Sequence, residues 1–206
     1  MNKRGRFIVI DGLDGAGKST IAKFLTTKFS ENQLLTHHAS SADFSKDILS
    51  LLVSEEGKMA GPDTQFALAW AAHAYRIKMI IEPALARGVS VLSDRFDSST
   101  YAYNVVAPKA KHLADLFFKT REIFLRDTKP DLYIFLQVDP KEGLRRVKGT
   151  GKTVDHFEKM DMDFFIRAEK AYLDFLKRVP HKIVDANRPL AEVQKDILKI
   201  MEEIIS

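Results

Sequence analysis

Eight consecutive residues, Gly12-Leu13-Asp14-Gly15-Ala16-Gly17-Lys18-Ser19, constrain the fold of this chain more than any others. They spell G-x-x-x-x-G-K-S. The apolar run Phe7-Ile8-Val9-Ile10 precedes them directly, and the helical spacing of Ile21, Phe24 and Leu25 follows. A strand that breaks into a glycine loop and then a helix is the context in which this pattern binds phosphates. Glycine tolerates the backbone angles that turn successive amide N–H groups inward around an anion. The N-terminus of the following helix adds a positive partial charge. In that arrangement Lys18 reaches the terminal phosphates and the Ser19 hydroxyl is placed for Mg²⁺. The alternative is a glycine-rich turn with an ordinary surface lysine; the flanking strand and helix favour a nucleoside triphosphate site.

The remaining sequence predicts an α/β protein with a largely parallel sheet. Candidate strands fall at 6–11, 34–38, 89–93, 131–138 and 182–185, most of them continuously apolar, as strands covered on both faces should be. Amphipathic stretches between them predict helices at 18–29, 43–54, 64–86, 96–106, 110–126, 140–148, 157–178 and 189–204. Asp139-Pro140-Lys141-Glu142 orders a cap, a first-turn proline and a capping-box acid at one helix start. The polar run Lys148-Gly149-Thr150-Gly151-Lys152-Thr153 predicts a loop able to close over a ligand.

With 206 residues, 45% of them hydrophobic, one domain is expected. A net charge of +4 suits anionic small molecules and is too modest to argue for nucleic acid. No cysteine is present, which rules out disulfides, zinc-thiolate sites and thiol catalysis and fits a reducing, cytoplasmic setting. No signal-peptide pattern and no run of roughly 20 apolar residues suggests a membrane association. His37 and His38 alternate faces of a strand, which argues against one shared metal ion.

A second block narrows the chemistry. Val89-Ser90-Val91-Leu92-Ser93 reads as a buried strand that ends in Asp94-Arg95, at the sheet edge where α/β proteins bind ligands. Asp94 is a candidate for holding Mg²⁺ and Arg95 for clamping phosphate oxygens; the alternative is a strand-end ion pair. Asp97-Ser98-Ser99-Thr100-Tyr101-Ala102-Tyr103-Asn104 then offers groups suited to gripping a sugar and base.

Together these residues resemble the thymidylate kinase family of nucleoside monophosphate kinases. The resemblance rests on Phe7 through Thr20, on Asp94-Arg95-Phe96 with Ser98-Ser99 and Ala102-Tyr103, and on Pro130-Asp131-Leu132. It continues through Val138-Asp139-Pro140 with Gly143-Leu144, then Asp155-His156-Phe157-Glu158 and Asp163-Phe164-Phe165. It implies a three-layer fold with a central five-stranded parallel sheet flanked by helices, one kinase domain over 1–206 and a short lid at about 146–156. It implies ATP and Mg²⁺, held by Gly12, Gly15, Ala16, Gly17, Lys18, Ser19 and Thr20, with Asp94 joining Ser19 at the metal. Asp14 would touch the acceptor nucleotide, Arg95 would bridge the two phosphate groups, and Tyr103 would disfavour a 2′-hydroxyl. Ser99 belongs to the same acceptor side.

The sequence also departs from the family pattern. Gly15 stands where a loop cation can occur, which makes the lid the expected source of positive charge, from Lys148 or Lys152 with Arg145 and Arg146 nearby. Thr36-His37-His38-Ala39-Ser40-Ser41 replaces the usual Arg-Glu-Pro-Gly-Gly-Thr. On the long helix His73 stands at the base-reading arginine, with Arg76 one turn on and Trp70 or Ala69 near the usual stacking phenylalanine. Asn104 stands where glutamine is common. The activity implied is transfer of the ATP γ-phosphate to dTMP, with a homodimer formed through the 64–86 helix. Alternatives are a kinase of another deoxynucleotide or of a deoxynucleoside, and a nucleotide-binding regulatory protein without turnover.

Overall fold

The computed structural model describes residues 3–38, 43–149 and 162–205. Lys152, and most of the lid expected at 146–156, lie outside the described residues. Five strands form one parallel sheet: β1 (Phe7–Asp11), β2 (Leu34–His38), β3 (Ser90–Asp94), β4 (Leu132–Gln137) and β5 (His181–Asp185), in the order β2-β3-β1-β4-β5. Phe7, Ile8, Val9 and Ile10 are fully buried because helices cover both faces of the central strand. Among the described residues no helix is long and apolar enough to cross a membrane.

The sheet order solves a placement problem. β1 and β3 are neighbours although some eighty residues apart, and their register sets Ile10 beside Asp94. The loop after β1 and the Asp94-Arg95 pair after β3 therefore emerge side by side at the carboxyl edge. Past the last β3 residue, Arg95 N still donates to Ile10 O at 3.0 Å.

The described residues form ten α-helices, of which α3 was not expected: α1 (Lys18–Thr26), α2 (Asp43–Val53), α3 (Glu55–Met59), α4 (Gly61–Arg76), α5 (Glu82–Ala86), α6 (Asp97–Thr100), α7 (Leu113–Leu125), α8 (Pro140–Lys148), α9 (Met162–Leu176) and α10 (Leu190–Ile205). Asp139 caps α8 as its sequence predicts, accepting from Lys141 N and Glu142 N. Two expectations are corrected. The single helix expected at 64–86 begins at Gly61 and contains a π-helical turn at Ile77–Ile81 between α4 and α5. The helix expected at 96–106 becomes π-helical from Tyr101 to Val106. Proline explains both. The rings of Pro83 and Pro108 would clash with the carbonyls four residues before them, and the wider turn relieves that crowding, with Glu82 N bonded to Ile77 O and Ala107 N to Ala102 O.

The phosphate loop is packed against α8 backbone to backbone. A Cβ on Gly143 would come within 2.6 Å of Asp14 O, and one on Gly15 within 2.1 Å of Gly143 O. Gly15 also has φ +80, a conformation L side chains rarely adopt. Gly143→Ala is expected to destabilise the protein by about 1–3 kcal/mol through forced separation of loop and helix. Urea unfolding checks this, and a change below about 0.5 kcal/mol would show that α8 gives way freely.

Candidate active site

Gly17 caps α1 with φ 91, the left-handed turn that points the first amides of the helix into the loop. Lys18 is 7% exposed and lies folded back across this cradle. Its ammonium donates to Gly12 O at 3.0 Å and Leu13 O at 2.8 Å. Burial, then the positive charge of Arg95, lower its pKa to about 8, against the pull of Asp14, Asp11 and Asp94. Ser19 Oγ donates to Asp94 Oδ2 at 2.9 Å, so the hydroxyl and carboxylate expected at a metal do meet. Both are hard oxygen donors, the type Mg²⁺ takes alongside phosphate oxygens and water.

Arg95 reaches across to the loop. Its Nη2 pairs with Asp14 Oδ1, and its Nη1 donates to Ser99 Oγ at 2.9 Å and Tyr172 Oη at 3.0 Å. Burial opposes the charge on Arg95, but the Asp14 carboxylate more than restores it and its pKa lies above the usual value. Burial likewise pushes the Asp14 carboxyl up, while Arg95 and then Lys18 outweigh it and hold it below the usual value.

Asp11 organises these groups from below. Its Oδ1 accepts from Gly12 N at 2.9 Å and Tyr172 Oη at 2.8 Å, and its Oδ2 from Ser98 Oγ at 2.7 Å. Ser99 Oγ adds a bond at 2.9 Å. The carboxylate is 2% exposed, and the shared donors supply what burial removes. Behind α6, Asp97 is fully buried between Arg121 Nε at 2.7 Å and Tyr133 Oη at 2.7 Å, which fixes the start of the helix that presents Ser98 and Ser99.

Two cavities open on either side of Arg95. The larger, about 920 Å³, is lined by Gly15, Ala16, Gly17, Lys18, Ser19 and Thr20 from the loop. Asp94, Arg146 and Arg188 also border it. The smaller, about 270 Å³, is more apolar and is bordered by Ala69, His73, Arg76, Ser99, Tyr103 and Asn104. Asp14 and Arg95 line both. The arrangement suits a large anionic ligand on one side, a smaller one on the other, and a shared charge between them.

Of the residues expected at the acceptor, Asp14, His73, Arg76, Arg95, Ser99, Tyr103 and Asn104 border the smaller cavity. His73 Nε2 lies 2.8 Å from Thr100 Oγ1; burial and then Arg76 hold its pKa well below the usual value, so the ring is neutral near pH 7. Trp70 is corrected. It is 3% exposed and packs in the aromatic core against Phe66, Phe117 and Phe124, on the helix side that faces α7. Lys148 closes α8, and Lys152 lies outside the described residues.

Three residues escaped sequence reasoning. Asp11 looked like the last residue of a strand, although a carboxylate ending an otherwise apolar run is itself a signal. Tyr172 lies in the helix expected at 157–178 with no motif to mark it, and it shares that helix's buried side with Phe165, Ala168, Ala171 and Phe175. Lys46 of α2 borders the larger cavity, and nothing in its sequence context marks it.

The chain matches a family model described as thymidylate kinase over residues 10–197. It is similar to a thymidylate kinase of Vibrio parahaemolyticus, with 33% identity over 98% of each chain. It is also similar to a thymidylate kinase of Haemophilus ducreyi, with 31% identity over 100% of this chain and 97% of the relative.

The buried ammonium predicts a pH dependence. With a pKa of about 8, Lys18 is charged at pH 7 and mostly discharged at pH 9 in the free protein. Affinity for ATP, measured calorimetrically, is expected to weaken by up to about tenfold across that interval. Lys18→Met is expected to flatten the profile; an unchanged slope in that variant would remove Lys18 as its cause.

Proposed function

Since this chain belongs to the thymidylate kinase family, we propose that it transfers the ATP γ-phosphate to dTMP, giving ADP and dTDP. The observation that carries the reading is Arg95. One guanidinium borders a large glycine-loop cavity and a small, partly apolar one, where the group moving between two nucleotides must pass.

In this reading the loop amides, Lys18, Ser19 and Thr20 hold the ATP phosphates in the larger cavity. The acceptor lies in the smaller one, with its phosphate toward Arg95 and Asp14. Tyr103 packs beside the sugar, and His73 and Asn104 face the base. Catalysis is positioning plus neutralisation: the acceptor phosphate oxygen is already ionised, so no strong general base is required. The paired Ser19 hydroxyl and Asp94 carboxylate would hold Mg²⁺, which supplies charge neutralisation at the phosphates. Asp11, Ser99 and Tyr172 keep the Arg95 guanidinium in place before either nucleotide arrives. A lid over 146–156, carrying Lys148 and Lys152, would exclude water so that the phosphoryl group reaches dTMP.

The family reading extends to a homodimer. Met79, Ile123 and Phe124, exposed on the long helix and α7, offer it an apolar surface. The cysteine-free composition suits a cytoplasmic enzyme.

Radiolabelled ATP with a panel of deoxynucleotides and deoxynucleosides tests the activity. Label is expected in dTDP, and label only in nucleoside products would overturn the monophosphate reading. Arg95→Ala is expected to lower kcat by at least about 10²-fold, the loss that follows removal of a transition-state donor. A loss below about threefold would take Arg95 out of the reaction.

A further inference from the structure

Arg76 is buried in an unusual way. Its side chain is 1% exposed, yet among the described residues no carboxylate forms an ion pair with it. Arg121, the other arginine this deeply placed, has Asp97 against it at 2.7 Å. A guanidinium taken out of water without a carboxylate is costly to keep. What Arg76 does touch is a backbone carbonyl, a hydroxyl and an aromatic ring. Its Nη2 donates to Arg95 O at 3.2 Å and to Ser93 Oγ at 3.1 Å. Ser93 Oγ donates to the same Arg95 O at 2.7 Å. The guanidinium lies over the ring of Phe96, 5.2 Å from its centroid.

The carbonyl held in this way belongs to a strained residue. Arg95 has φ 66, left-handed backbone that a non-glycine residue adopts at a cost. The turn has a geometric use. A residue that continued β3 in extended form would follow the strand's alternation beyond the sheet. Turned left-handed, Arg95 instead sends its side chain sideways over β1, to Asp11 and Asp14. The two costly features, a buried cation that the Asp97 and Asp94 carboxylates support only from a distance and a strained backbone, meet at one oxygen atom.

We propose that Arg76 and Ser93 are positioning residues that clamp the Arg95 carbonyl and thereby aim its guanidinium at the transferring phosphoryl group. The inference rests on the role given to Arg95 above. It also gives Arg76 a task apart from acceptor contact: its side chain borders the smaller cavity, but its Nη2 donates to Ser93 and Arg95, while its Nε has no hydrogen-bond partner.

A double-mutant cycle on the full-length protein tests the clamp. Arg76→Met is expected to lower kcat about tenfold or more and Ser93→Ala about threefold or more, with each KM within about twofold of wild type. In an Arg95→Ala background neither substitution is expected to cost more than about a further twofold, because nothing remains to be aimed. Losses that multiply in that background overturn the proposal. So does a raised acceptor KM with kcat unchanged, which would make Arg76 a substrate contact. Should Arg76→Met fail to fold, Ser93→Ala, which removes one hydroxyl, carries the cycle alone. A crystal structure of Ser93→Ala reads the clamp without turnover. Arg95 shifted out of the left-handed region, or its guanidinium off Asp14, supports it; unchanged Arg95 geometry overturns it. Wild-type protein inactive on dTMP would sink the proposed function and leave this structural readout to decide the clamp.

Discussion

Everything at the site depends on the hydrogen-bonded ladder between β1 and β3. Chain distance separates the phosphate loop from Asp94 and Arg95, and only the parallel pairing of their strands makes them neighbours. The pairing also fixes height. Because Ile10 lies beside Asp94, the Ser19 hydroxyl rises to the Asp94 carboxylate and Arg95 crosses above Asp11. A slip of one residue would reverse the direction of every side chain on the moved strand and separate these pairs. Such a slip would also take the buried Ser93 hydroxyl from Arg76 and the Arg95 carbonyl, so stability and function are specified by the same contacts.

Above that ladder the charges are arranged as a closed set. Two carboxylates, Asp11 and Asp14, meet the guanidinium of Arg95, and the ammonium of Lys18 rests on loop carbonyls close by. Each group is buried enough for its neighbours to matter strongly. Preorganisation of this type keeps reorganisation small when phosphates enter, which is where an electrostatic catalyst gains most.

Much of this was legible in the sequence because it depends on local rules. The glycine loop, the apolar strands and the Asp139 cap are written in short spacings, and the structure places them accordingly. The π-helical turns before Pro83 and Pro108 were not legible, since an amphipathic pattern has nearly the same period in either helix. Trp70, whose helical spacing with Phe66 suits the core as well as a base, was undecided for another reason. Helical spacing places a tryptophan on a face but does not say what covers that face, and here Phe117 and Phe124 of α7 do. Tyr172 and Ser93 act through partners brought from distant segments, and no local pattern announces such a meeting.

The contact between Gly15 and Gly143 has a consequence for how such a molecule can diverge. Two main chains touch there without any side chain to absorb a change, so neither position can drift while the other waits for it. A substitution at one glycine therefore requires the other backbone to move, and the loop and α8 are bound to change together or not at all.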